Sequence, residues 1–358
     1  MMNPASPLAF AHGPAWANRI ALAPLTNLQS NPDGTLSDDE YNWLVRRGDG
    51  GFGMVMTCAA WVNEQGHTFD GQLGAAGEQH LAGLTRLASG LRKAGAVSSL
   101  QLQHGGRRGD GQFDSTRVAP WADPSKNCVA LTTGEVEAVV EDFANAALLA
   151  AEAGFDGAEI HGAHGYLLCQ FLDARSNNRD DKYGGSPNNR FRIIHEIVDA
   201  VRRATGPDFQ LGLRLSPERY GIPLADAREL VRQVLDAGRL DYLDLSMWDA
   251  FKTPYDTDFA NQKLLDLFVD LPRNNTRLGV AGKILTAAGA RECLEAGADF
   301  VMIGTGGILH HDFAARVVAD PAFASVSHPV SADHMRAESV GPAFLDYLST
   351  NWDDFVRA

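Results

Sequence analysis

AGFDGAEIHGAHGYLLCQFL, residues 153–172, is the stretch on which the fold turns. Ala153-Gly154-Phe155 reads as a helix stop and Gly157 to His161 as a short apolar β run. A polar turn, His161-Gly-Ala-His164-Gly-Tyr166, follows directly. A helix end, a buried strand and a chemically loaded turn make one βα unit. The same rhythm recurs on both sides, with apolar runs at Ile20 to Leu25, Met54 to Cys58, Ser98 to Gln103, Leu211 to Leu215, Tyr242 to Ser246, Arg277 to Val280 and Phe300 to Ile303. With Gly157 to His161 these make eight, which predicts an α/β fold of the (β/α)8 TIM-barrel type with elaborated βα loops. Helix starts lie between them. Ser37 with Glu40 and Thr132 with Glu135 have capping-box spacing, and Thr286 opens a helical pattern that stops at Gly297. The rival open sheet needs a GxGxxG turn after an early strand, and nothing near Leu25 supplies one.

A length of 358 residues suits one barrel, since such folds with insertions run to roughly 250–400 residues. We therefore read one domain over 1–358, with the barrel at about 18–320 and a helical tail at about 321–358. Hydrophobic residues are 45% and charged residues 21%, a globular composition, and 36 glycines fit many tight strand-to-helix turns. A formal charge of -14 opposes non-specific binding to nucleic acid or anionic membrane, which leaves small molecules as the expected partners. The start MMNPASPLAF has neither a basic n-region nor a long apolar run, and no membrane-length apolar stretch occurs, so the expected location is cytoplasmic. Cys58, Cys128, Cys169 and Cys293 are far apart, without metal or iron–sulfur spacing, and read as buried free thiols. No metal is expected.

The chemistry concentrates after Gly157 to His161. Two neutral imidazoles can donate N–H bonds to an electronegative oxygen, and a phenol can deliver a proton to carbon developing negative charge. His161, His164 and Tyr166 are thus the candidate catalytic residues for work on a conjugated carbonyl. A metal reading of HxxH lacks a third ligand at plausible spacing.

HGAHGYLLCQFL followed by SNNRDDKYGGSPNNR resembles the active-site strand and loop of the Old Yellow Enzyme family. NRIALAPLTN, AAWVNEQGH, QLQHGGR, LRLSPERYG, VAGKI and FVMIGTGG resemble that family's other strand ends, so that the likeness covers most of residues 18–320. It implies a barrel carrying non-covalent FMN, reduced by NADH or NADPH, that in turn reduces activated C=C bonds of enones, maleimides or nitroalkenes in a ping-pong cycle. Flavin-dependent demethylation or dehydrogenation on the same scaffold, and a catalytically silent flavin-binding barrel, stay open as alternatives.

Position by position, the resemblance places Pro24, Leu25 and Thr26 along the flavin, with the Thr26 hydroxyl near O4. Ala59 comes to the ring edge, Gln101 to the pyrimidine face and Arg214 to N1 and O2, where a permanent cation stabilises the reduced ring. Gly282, Lys283, Gly304 and Thr305 fall where such barrels hold phosphate. The family usually has Arg at the Thr305 position, and this chain has IGTGGILHHDF, so the strongest charge contact is missing. Trp248, Phe251 and Tyr255 are either pocket walls or a packed minicore. Phe344, Leu345, Tyr347, Leu348, Trp352 and Phe355 recur at helical spacing in the tail, for docking on this barrel or on a partner in a homo-oligomer. Substrate, nicotinamide preference and stereochemistry are not written in the sequence.

Overall fold

The computed structural model describes residues 3–111, 113 and 116–357. The first two residues of the start read above and the terminal Ala358 lie outside them. Eight parallel strands close into a barrel in sequence order. They are β1 Ile20–Leu22, β2 Met54–Trp61, β3 Val97–Gln103, β4 Gly157–Gly162, β5 Gln210–Leu215, β6 Tyr242–Ser246, β7 Arg277–Ala281 and β8 Phe300–Ile303. All eight expected runs are strands.

The first run is shorter than expected. Strand β1 ends at Leu22, paired with Ile303, and Ala23 N–H makes one more bond to the Ile303 carbonyl. Pro24 has no N–H to continue the ladder, so Pro24, Leu25 and Thr26 form a loop over the barrel mouth. Strand β2 is longer than expected and carries an extra residue between Met56 and Ala59, a bulge opposite β3.

Register stacks the interior in layers. Ala59, Gln101 and Glu159 are neighbours across β2, β3 and β4. Nearer the mouth, His161, Arg214 and Asp244 are neighbours across β4, β5 and β6. The far end is plugged by the N-terminal segment, where Leu8 and Trp16 bridge antiparallel. Trp16 meets Phe300 at 4.9 Å and Tyr242 at 5.6 Å between ring centres, both edge-on. Water is thereby kept from one end, and access is through the other.

The helices bury their apolar faces against the outside of the barrel. Thr132 and Glu135 form the complete capping box before Thr133–Glu152, and Thr286 accepts from Gly289 N–H at the start of Ala287–Glu295. Ser37 caps Asp38–Asp49, but Glu40 does not reciprocate. Its carboxyl turns inward to Asn27, Ser30 and the Cys58 thiol, and burial raises its pKa. All four cysteines are free and buried. In the tail, helix Pro342–Asn351 docks on this barrel through fully buried Phe344, edge-on to Trp43 at 5.5 Å. No helix among the described residues is long and apolar enough to cross a membrane.

Candidate active site

The C-terminal strand ends surround a cavity of about 680 Å³, lined by the loop after β1, the turn after β4 and residues from β5 to β8. A larger cleft of about 910 Å³ lies between helix Asp38–Asp49 and the tail, but its lining mixes charged side chains such as Asp39, Arg46 and Arg336 with Val45, Val340 and Leu345 and includes no strand-end residue.

The turn after β4 brings its three candidates together. His161 lies 5.0 Å from His164 and 5.2 Å from Tyr166 between ring centres. Such proximity needs an unusual backbone. His164 has φ 61° and Gly165 φ 75°, the latter against the Tyr220 ring. Burial, then the charges of Arg214 and Arg108, lowers the His164 pKa to about 3. His161 is pushed well below its ordinary value by burial, then by His164. Both imidazoles are therefore neutral near pH 7, each with one N–H to give. His161 Nδ1 accepts from Ala163 N–H at 3.4 Å, which puts its proton on Nε2. His164 Nε2 meets the Ser246 hydroxyl at 2.7 Å, and that oxygen also accepts from Arg214 at 3.3 Å. Burial raises the Tyr166 pKa and Arg108 partly counters it, so the phenol keeps its proton.

Arg214 lines the cavity floor, and its Nη1 lies 3.2 Å from Asp244. Its Nε and Nη1 nevertheless have no well-directed hydrogen bond, and both carboxyl oxygens of Asp244 are likewise unpartnered among the protein atoms. Beneath it, Glu159 accepts from Gln101 at 2.8 Å. Two sealed carboxyls around one guanidinium cannot both ionise. Burial, then Asp244, raises the Glu159 pKa to about 8, and burial raises Asp244 as well.

Residues 7–257 match the model of the NADH:flavin oxidoreductase / NADH oxidase family. A Bacillus subtilis protein named probable NADH-dependent flavin oxidoreductase YqiG is 35% identical over 310 residues, covering 83% of each chain. An NADH:acrylate oxidoreductase of Vibrio harveyi is 29% identical over 95% of this chain but only 36% of that longer protein. Morphinone reductase in complex with tetrahydroNAD superposes with a TM-score of 0.80 at 26% identity over 97% of both chains. The chain belongs to the Old Yellow Enzyme family. It is an NAD(P)H-dependent flavin oxidoreductase that uses FMN.

The cavity of this Old Yellow Enzyme fits a flavin on its own chemistry. Its floor holds a buried guanidinium with two unpartnered nitrogens, and its wall carries the hydroxyls of Thr26 and Thr305. Gly282, at φ 151°, leaves no room for a Cβ, which would come within 2.7 Å of Asp249 N. At Gly304 a Cβ would meet only Leu25, at 3.6 Å. Backbone at the β8 end can therefore approach a phosphate closely, whereas Gly282 is required by the backbone of residues 248–250 packed against it.

Pro24, Leu25, Thr26, Arg214, Gly282, Lys283, Gly304 and Thr305 all line the cavity. Ala59 and Gln101 lie outside its lining, because their register places them one layer down, where the Gln101 amide is spent on Glu159. His161 also stands behind the wall, 3% exposed, with His164 and Tyr166 in front. Lys283 is exposed and paired with Asp249 at 3.3 Å. Of the three loop aromatics only Trp248 lines the cavity, while Phe251 packs on the core and Tyr255 stays exposed. Sequence reasoning missed Arg108, Arg219, Tyr220, Tyr347 and Trp352. Arg219 and Tyr220 lay inside the quoted LRLSPERYG, and Tyr347 and Trp352 in the tail pattern, but no local signal aimed any of them at the cavity.

Proposed function

We propose that this enzyme reduces activated C=C bonds of small enones, maleimides or nitroalkenes with NADH or NADPH, both reactants using the strand-end cavity in turn. The observation that carries this reading is the cluster at the turn after β4, where a neutral His161 stands directly behind a neutral His164 and a protonated Tyr166 that line the cavity. His161 and His164 donate to the substrate's carbonyl or nitro oxygen and draw density from the alkene. Bound flavin supplies hydride transfer to the β-carbon. Tyr166 then gives its proton to the α-carbon, and Arg108 over its ring, 4.7 Å from the centre, offsets the negative charge left on the phenol. Arg214 balances charge at the reduced ring, and Thr26 bonds its edge. Gly282, Gly304 and Thr305 hold the phosphate. A relative named for acrylate, itself a conjugated alkene, supports the substrate class.

Residues 1–358 act in this reading as one domain, with the tail completing the cavity wall. The test is steady-state oxidation of NADH and NADPH by purified protein with enones, maleimides and nitroalkenes as acceptors, beside reduction of a dye acceptor with N-methylated amines as donors. Turnover with the alkenes is expected. Turnover confined to the amines would assign dehydrogenation, and bleaching of the flavin with no acceptor turned over would leave a silent barrel.

A further inference from the structure

The lining of the strand-end cavity departs from the charge of the chain. Acidic residues outnumber basic ones 45 to 31 over the sequence. Yet the charged residues lining the cavity are Arg108, Arg214, Arg219 and Lys283, with no carboxylate among the described residues there. Arg214 is matched by Asp244 and Lys283 by Asp249. Among the described residues neither Arg108 nor Arg219 has a carboxylate partner. The described contacts of Arg108 are the His164 carbonyl, to which it donates at 2.5 Å, and the face of Tyr166. Arg219 lies over Trp248 and Tyr255, 4.6 and 5.2 Å from their ring centres, and donates to the Tyr255 hydroxyl. Just outside, Arg107 and Arg175 do meet carboxylates, Asp123 and Asp173. Pairing is the rule on this rim, and the two exceptions flank one opening.

A guanidinium stacked on an aromatic ring has its position fixed while N–H edges remain available, the geometry that takes a carboxylate through two parallel bonds. Two such groups inside a protein of net charge -14 make a local attractive field within a repulsive one. We propose that the alkene this enzyme reduces carries a carboxylate, taken by Arg108 with Arg219 at the mouth, while the activating carbonyl goes to His161 and His164. This rests on the ene-reductase reading above. The overall reaction adds a hydride and the Tyr166 proton across the C=C bond, and the carboxylate is unchanged. The nicotinamide diphosphate is the other anion that enters this cavity. It lies beyond a ribose from the reacting carbon, whereas Arg108 sits on the ring of the proton donor, within reach of a short substituent.

The test compares 6-oxohept-4-enoate with its methyl ester, two enones whose acid or ester end is separated from the C=C bond by two methylenes, so that they differ in charge and not in activation. Wild type should favour the acid in kcat/KM by roughly ten- to a hundredfold, the range of a charge-assisted pair, with the ratio shrinking as salt rises. Arg108→Gln with Arg219→Gln should bring the ratio near one. In stopped flow, reduction of the flavin by NADH in Arg219→Gln alone should stay within about threefold of wild type. A readout independent of turnover is the dissociation constant of 4-hydroxyphenylacetate against its amide, taken from the flavin absorbance, where the same preference and the same loss are expected. An ester turned over as well as the acid, or a preference surviving in the double variant, overturns the proposal. So does an Arg219→Gln variant that slows reduction by NADH instead, which would assign that arginine to the dinucleotide. If no alkene of either kind is reduced while NADH still bleaches the flavin, the ene-reductase reading fails and this one falls with it.

Discussion

At Tyr166 burial and charge pull in opposite directions. Burial raises its pKa and the Arg108 guanidinium lowers it. The net result is a phenol that holds its proton until carbanion character develops beside it. Tyr166→Phe keeps the ring, its place 5.2 Å from His161 and its contact with Arg108, and deletes only the proton. Reduction of the flavin by NAD(P)H should be nearly intact, while reoxidation by cyclohexenone should slow roughly a hundredfold to ten-thousandfold. Reoxidation by a quinone, which needs no proton on carbon, should change little. Stopped-flow measurement of the two halves decides it, and full enone turnover in the variant would remove Tyr166 from the chemistry. The phosphate end yields a second prediction. Thr305 is neutral, and Lys283 is paired with Asp249, so no uncommitted cation lines that end among the described residues. Thr305→Arg should tighten FMN binding to the apoprotein by roughly ten- to a hundredfold, read by fluorescence titration. Equal or weaker binding would mean that backbone donors already suffice. Both positions were legible in the sequence because their neighbours form dense local motifs. Glu40 was misread for the opposite reason. Its spacing from Ser37 advertises a capping box, and only the fold reveals Asn27, Ser30 and Cys58 waiting on the inner side.

Strands were the most legible elements, since barrel strands read as short, largely apolar runs and several here follow a helix stop, AGA before β3, AGF before β4 and AGAD before β8. Their register was not legible, and register decides what Gln101 does. Pairing of Gln101 with Glu159 joins two polar side chains inside the barrel, so the glutamine serves a carboxyl before it can serve a cofactor. Such a carboxyl titrates visibly. Its pKa in the folded protein is raised to about 8, above an unfolded value near 4.3. A raised pKa contributes stability that is fully present below the unfolded value and is lost as pH climbs through the folded one. Wild type should therefore lose thermal stability between about pH 4 and 8 from this group and level off above that, and Glu159→Gln, which keeps an acceptor for Gln101, should lose less. Unfolding midpoints of the two proteins across that range should diverge as pH rises. Parallel curves would mean that Asp244 or another group carries the proton.

On the scale of the whole molecule, the active site is closed by the part of the chain farthest in sequence from its first strand. The tail pattern of Phe344, Leu345, Tyr347, Leu348, Trp352 and Phe355 announced an amphipathic helix, but amphipathicity states only that a face is buried, not against what. Phe344 and Leu348 resolve it by packing fully buried on the barrel's own helices. That docking carries Tyr347 and Trp352 to the cavity, where they face the loop after β1 and the turn after β4. Anchor and wall are thus different residues of one segment, and they can be separated. Phe344→Ala removes a ring from a sealed contact with Trp43 and should cost about 3–5 kcal/mol of stability, read as a lowered denaturation midpoint. Trp352→Ala removes a half-buried ring at the helix end, where solvent can fill the space, so stability should fall by less than about 1.5 kcal/mol. Its effect should fall on binding. Small enones lose one wall and their KM should rise several-fold, whereas bulkier enones gain room and should be affected less or favoured. Reduction by NAD(P)H should follow whichever class the nicotinamide ring resembles in its demand on that wall. Steady-state KM values for cyclohexenone and a bulkier substituted enone, measured with both proteins, test the assignment. Equal shifts for the two substrates would make Trp352 a packing residue whose place at the cavity has no bearing on selection.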